Sequence, residues 1–157
     1  MENITIWDAK LYFKNFSGEP GRFNNAGDRN FGVFIGSELA EELTEDGWNV
    51  KYTKSNDEGE RRAYLKVKVN FKGNPKIYLV TNGKTVRLDQ DTVGELDELF
   101  FEKIDLKIRH VYLRNYDVWT QYLDKAYFTV LQDDLDRAYA DTSTPTFDEE
   151  DEDIPFM

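Results

Sequence analysis

Between Ala63 and Phe71, Tyr64, Lys66, Lys68 and Asn70 alternate with Ala63, Leu65, Val67, Val69 and Phe71. A period of two puts the apolar set on one face of a strand and a tyrosine with two lysines on the other. The next extended segment adds Lys76 and Tyr78 to the polar side. The same sorting elsewhere sends Lys10, Tyr12, Lys14, Phe16, Phe34, Lys51, Lys107, Arg109, Lys125 and Tyr127 away from the core, with Asp105 the clearest outward acid. Flat rings interleaved with cations suit a ligand that offers unstacked bases along a phosphate backbone. Stacking on a ring contributes about 1–3 kcal/mol per base with little regard to sequence, and phosphate contacts add affinity that falls with salt. Tyr64, Lys66, Lys68 and Tyr78 are the leading candidates, then Tyr12 and Lys14; Lys76, Lys107, Arg109 and Trp119 complete the set. The pattern also has an ordinary explanation. Lysine guards sheet edges and tyrosine favours strands, and a barrel has several outward surfaces but one groove.

Other chemistries find little support. There is no cysteine and one histidine, His110, which leaves neither a disulfide framework nor a zinc set. No nucleophile–base pair and no phosphate-cradling glycine loop stands out. Asp89 with Asp91, and Asp133 with Asp134 and Asp136, are carboxylate clusters of the kind that hold Mg²⁺, but such acids are far more often solvated loop and helix-end residues. The expectation is a binding protein, not an enzyme, with no cofactor. His110 is read as structural, and Trp7, Trp48 and Trp119 as core or half-buried packing. Trp119 is the best stacking candidate of the three, because its surroundings lack periodicity.

The elements that must hold these side chains are mostly strands. Leu11 and Phe13 alternate with Lys10, Tyr12, Lys14 and Phe16; a Gly/Asn-rich loop runs from Gly18 to Arg29; Phe31, Val33 and Ile35 form a second inward set. Ser37 is read as the cap of a short helix through Leu39, Ala40 and Leu43, with Gly47 its stop. Extended segments follow at Trp48–Tyr52, Ala63–Phe71 and Ile77–Val80, and Asn82-Gly83 is a strong hairpin turn into Thr85–Leu88. Residues 89–99 read as a loop with a helical turn. Ile104, Leu106 and Ile108 alternate until a slip near His110-Val111 that predicts a bulge. Residues 115–124 read as an aromatic loop, Lys125–Leu131 as the last strand, and residues 133–140 as a short helix. Short strands, turn signals and one confident helix predict a mainly β protein: a five-stranded antiparallel barrel of the oligonucleotide/oligosaccharide-binding (OB) kind, with extra strands or a hairpin and one or two short helices.

Length allows one ordinary domain in 157 residues. The formal charge is −11, yet its distribution matters more than its sum. From Asp141 to Met157 there are seven acids and no base, which leaves 24 acids against 20 bases in the body. The predicted division is therefore a binding domain over residues 1–140 and a disordered acidic tail over 141–157. The chain opens without the basic and apolar regions of a secretory signal, and no apolar run approaches a membrane span. The expectation is a soluble protein of the cytoplasm that needs no membrane. Oligomeric state is not legible.

Six consecutive acids, Asp148 to Asp153, precede Ile154-Pro155-Phe156. An apolar tip after such a run has the makings of a ligand. Acids steer it to a basic pocket, proline limits conformational loss and phenylalanine anchors. Asp151-Glu152-Asp153-Ile154-Pro155-Phe156 resembles the C-terminal tip of bacterial single-stranded-DNA-binding proteins. The body resembles small phage-encoded proteins of that type in Ile4 to Leu11, Gly27 to Phe31, Asp46 to Val50 and Asp91 to Gly94. The resemblance implies an OB barrel that protects single-stranded DNA during phage replication or recombination inside the host cytoplasm. It also implies a tail that recruits replication or recombination proteins. Met157 departs from the pattern, because the bacterial tip ends at phenylalanine with its free carboxylate. The alternative is an acidic interaction adaptor or DNA mimic that does not bind DNA; it should present acids on its sheet surface.

Overall fold

The computed structural model describes residues 2–22, 24–56 and 58–132. The expected helix at 133–140, the tail over 141–157 and its tip residues lie outside them. Nine strands form one sheet: β1 (Asn3–Ile6), β2 (Leu11–Asn15), β3 (Arg29–Phe34), β4 (Val50–Tyr52), β5 (Ala63–Val69), β6 (Lys76–Thr81), β7 (Lys84–Leu88), β8 (Phe101–Leu113) and β9 (Val118–Val130). Among the described residues the one α-helix, α1 (Ser37–Glu45), follows β3, and 3-10 turns occupy Phe71–Gly73 and Val93–Glu98. Among the described residues no helix is long and apolar enough to cross a membrane.

The main path runs β1-β8-β9-β5-β3-β2. β5 lies between β3 on one edge and, on the other, β4 along Ala63–Leu65 and β9 at Val67–Lys68. β9 in turn pairs with β5 at Gln121–Tyr122 and with β6 at Lys125–Thr129, both in parallel. The mainly β, OB-like expectation is met, but the sheet is mixed where an antiparallel one was expected. These two parallel pairings make β9 the seam at which the sheet forks.

The core sits on the inner face. Phe16, Phe31, Leu65, Val67, Ile77, Leu79, Leu106, Ile108, Leu123 and Phe128 are buried. Phe16 packs on Phe31 at 5.2 Å and edge-on to Phe128 at 5.5 Å. Gln121, also buried, ties β9 to its neighbours by donating to the Lys66 carbonyl (3.3 Å) and accepting from Asn49 N (3.2 Å), in the amide orientation that satisfies both. Asn82 and Gly83 both have positive φ, 52° and 78°, as the tight β6–β7 hairpin requires. Gly47, at φ 87°, ends α1.

Four departures from the sequence reading have local causes. A bulge between Leu11 and Phe13 shifts β2 by one residue, so that Phe13 pairs with Gly32 and Lys14 with Phe31. A one-residue slip exchanges the two faces. Phe13 therefore lies outside, while Phe16 is fully buried in the core. Residues 115–124 are not a long loop: β9 begins at Val118, and Trp119 pairs with Tyr112 across the hairpin. The irregularity expected near His110-Val111 falls at Lys107/Ile108. Trp7 is 72% exposed and packs in no core, and β1, too short to show periodicity, pairs with β8.

Candidate nucleic-acid interface

The outer face has one row in register across four strands: Asn30 on β3, Lys68 on β5, Tyr122 on β9 and Arg109 on β8. Above its β3–β5 half opens a groove of about 840 Å³ whose walls include Arg29, Lys66, Lys68, Phe71, Lys72 and Tyr122. The Gly/Asn-rich loop forms one wall and is folded on itself. Gly27 N donates to Gly18 O (2.8 Å), the Asn24 amide donates to the carbonyls of Glu19 (2.9 Å) and Asp28 (3.0 Å), and the Asn30 amide donates to Asn24 Oδ1 (2.8 Å). Gly18 needs its φ of +76°, and a Cβ there would lie 3.0 Å from the Gly27 backbone. On the opposite wall Asn70 Oδ1 caps Lys72 N at 3.0 Å. Arg29 donates to the Gln90 carbonyl at 3.2 Å and lies 5.5 Å over the Phe71 ring.

Beside the groove, Tyr12, Phe13, Phe34 and Tyr64 make an aromatic cluster. Tyr12 is 4.8 Å from Tyr64 and 5.1 Å from Phe34, Phe13 meets Tyr64 edge-on at 6.4 Å, and the Arg62 guanidinium sits 3.6 Å over Phe34. The bulge in β2 makes this possible by turning Phe13 outward. Gly32 leaves room for it, since a Cβ there would come within 2.6 Å of the Phe13 ring. Farther along β9, Tyr78 and Tyr127 stack at 4.8 Å and 17°.

Charge pairing separates the cations into two groups. Lys10 pairs with Asp8 (3.4 Å), Lys103 with Asp105 (3.6 Å), and both Lys107 (3.9 Å) and Arg109 (3.5 Å) with Asp124. Among the described residues no carboxylate lies within ion-pair distance of Lys66, Lys68, Lys72, Lys76 or Lys125. Of these five, Lys66, Lys68 and Lys72 line the groove, and Lys76 and Lys125 lie on its continuation toward Tyr78.

The structure keeps Tyr12, Tyr64, Lys66 and Lys68 together at the groove side of the outer face, and places Lys76 and Tyr78 on the β6 side of the seam. Lys107 and Arg109 reach the same surface but are engaged by Asp124. Two candidates leave it. Lys14, turned inward by the bulge, donates to the carbonyls of Leu96 (2.8 Å) and Leu99 (2.5 Å). Burial lowers its pKa, an effect partly opposed by Asp97 and Glu98. Trp119 lies on the inner-face side of the hairpin, beyond the core, where His110 is sandwiched between it and Trp48 at 4.5 Å from each. His110 is structural in this position. Its pKa is lowered by burial and by the N-terminal amine, with the Gly47 hydrogen bond and Asp46 opposing. Asp89 is occupied locally, accepting from Asp91 N and from the backbone and hydroxyl of Thr92. The Thr92 hydroxyl is the main cause of its lowered pKa. Among the described residues no group of three or more histidines and carboxylates converges on a point.

Arg29, Phe13, Lys72 and Tyr122 belong to the surface but were not singled out from sequence. Tyr122 had the clearest available signal: it alternates with Gln121 and Leu123, a pattern masked by the aromatic residues around it.

A small OB-like sheet with a cationic groove and exposed rings on its outer face has the form that a binder of single-stranded nucleic acid requires. Residues 1–155 match the family described as "Putative phage ssDNA-binding domain", and the chain belongs to that family. The fold agrees. The single-stranded DNA-binding protein from bacteriophage Enc34 in complex with ssDNA superposes with a TM-score of 0.51 at 7% identity, over 84% of this chain and 88% of that one. A second structure of that phage protein gives 0.49 at 8% identity, over 84% and 83%. At 7% identity the first of these likenesses is one of fold. No curated protein sequence matches the chain. The chain is thus a phage-type single-stranded-DNA-binding protein, of a family that works by binding and not by catalysis.

Proposed function

We propose that residues 1–140 coat and protect single-stranded DNA with little sequence preference during phage replication or recombination in the host cytoplasm. The observation that carries this is a run of lysines, with no carboxylate in ion-pair reach among the described residues, interleaved with rings along one outer face: Lys66, Lys68 and Lys72 with Tyr64, Tyr12 and Tyr122. Lysines in this position serve as phosphate contacts and rings as stacking platforms. The acidic tail, 141–157, acts as a competitor for the basic groove. Asp151 to Phe156 at its tip bind replication or recombination proteins, with Met157 altering the terminal carboxylate such a pocket would meet. An adaptor or DNA mimic would instead present acids here, whereas Arg29, Lys66, Lys68 and Lys72 outnumber the acid Asp28 along the groove.

The test is a fluorescence-anisotropy titration of labelled oligo-dT and of a duplex of equal length at two salt concentrations. Preferential binding of oligo-dT that weakens with salt is expected. Binding of neither would sink the proposal.

A further inference from the structure

On the far side of the β9 seam, Lys76, Lys125 and Lys107 stand directly opposite one another across β6, β9 and β8. Like charges in directly opposed positions destabilise a sheet. Asp124 lies 3.9 Å from Lys107, but among the described residues no carboxylate neutralises Lys76 or Lys125. Two residues farther along the same strands, Tyr78 and Tyr127 stack face to face, and the Lys125 ammonium is 5.7 Å from the Tyr127 ring centroid. Tyr127 is 37% exposed. A lysine row that costs the fold stability, set beside an accessible ring pair, is explained by an anionic, base-bearing ligand that neutralises the one and stacks on the other.

We propose that this patch is a second, separate subsite for the same DNA strand, with Lys76 and Lys125 on phosphates and Tyr127, backed by Tyr78, under a base. The proposal rests on the groove reading above and extends it. Tyr122 in the groove and Tyr127 in the patch share the outer face because β9 bulges at Asp124, and their β8 partners Arg109 and Asp105 are four residues apart, about 13 Å at the usual rise per residue. A short oligonucleotide fills the groove alone, while a longer one crosses the seam. Arg109 marks that crossing: its guanidinium reaches within 3.1 Å of where a Gly73 Cβ would stand. Binding is therefore bipartite, and its strength depends on length.

Oligo-dT of about four and about sixteen nucleotides, the ends of the usual range for such folds, are titrated against the full chain, Lys125→Gln, Tyr127→Ala and Tyr127→Phe. Tyr127→Ala should lose roughly tenfold or more on the long oligonucleotide and nothing on the short one, with Tyr127→Phe restoring binding. Lys125→Gln should reduce the salt slope for the long oligonucleotide by about 0.7 while raising the thermal midpoint, because it relieves the repulsion. A purely structural tyrosine pair would not give a length-dependent loss. Unchanged long-oligonucleotide affinity in these variants, or equal losses at both lengths, would overturn the second subsite and leave the groove standing. Failure of the full chain to bind either length would overturn the groove reading as well.

Discussion

Lys14 and Lys68 carry the same charged group, and the backbone decides what each does with it. Lys14 Nζ is spent on two partly buried carbonyls, at Leu96 and Leu99. Lys68 faces the groove with no carboxylate in reach among the described residues. Lys14→Met should therefore cost stability, about 1–3 kcal/mol for buried acceptors left unmatched, with little change in the salt dependence of DNA binding. Lys68→Glu should do the reverse, leaving the denaturation midpoint nearly in place and weakening oligo-dT roughly tenfold at low salt. Urea melts and anisotropy titrations on both variants separate the two roles, and a matching pattern in both would contradict the assignment. The alternation rule could place Tyr64, Lys66 and Lys68 because β5 is regular over its full length. It failed at Lys14, Phe13 and Phe16 because a bulge leaves no mark in the order of apolar and polar residues. The one hint was Gly32, whose missing side chain admits the Phe13 ring.

The β8–β9 hairpin shows the same limit at the scale of an element. Its inner half was legible in Ile104, Leu106 and Ile108. Its outer half was not, because past the core the inward positions are filled by His110, Tyr112 and Trp119 instead of aliphatic residues. These rings continue the inner face: Trp48, His110 and Trp119 form a column, and Tyr112 leans on Trp119 at 5.3 Å. His110 links this packing to pH. Burial lowers its pKa from the ordinary 6.5, so the unfolded chain takes up a proton at a higher pH than the folded one. Stability from this group is thus full above about 6.5 and falls as the pH drops toward the lowered folded value. The urea midpoint of the wild type should decline over that window more steeply than that of His110→Gln, which has no proton to bind. Parallel profiles for the two proteins would show that the column does not depend on neutral imidazole.

For the whole molecule, a net charge of −11 hides a body able to hold a polyanion. The acids of the sheet's outer face are largely committed: Asp105 to Lys103, and Asp124 to Lys107 and Arg109. Among the described residues the lysines of the groove have no carboxylate in ion-pair reach. Seven further acids lie between Asp141 and Met157, a segment whose charge was plain from sequence and which carries no base to offset it. Joined to the body, these carboxylates are held at a high effective concentration near any cationic surface they can reach. They should compete with DNA phosphates for the groove. Deleting residues 141–157 should therefore tighten oligo-dT binding, and the gain should be largest at low ionic strength. It should shrink toward physiological salt, where the screening length falls to about 8 Å. Adding the free tail peptide back in excess should partly reverse the gain. If the truncated protein bound DNA no more tightly than the full chain at low salt, the tail would have no hold on the groove. The competition would then have to be dropped, whatever the tip at Ile154-Pro155-Phe156 recruits.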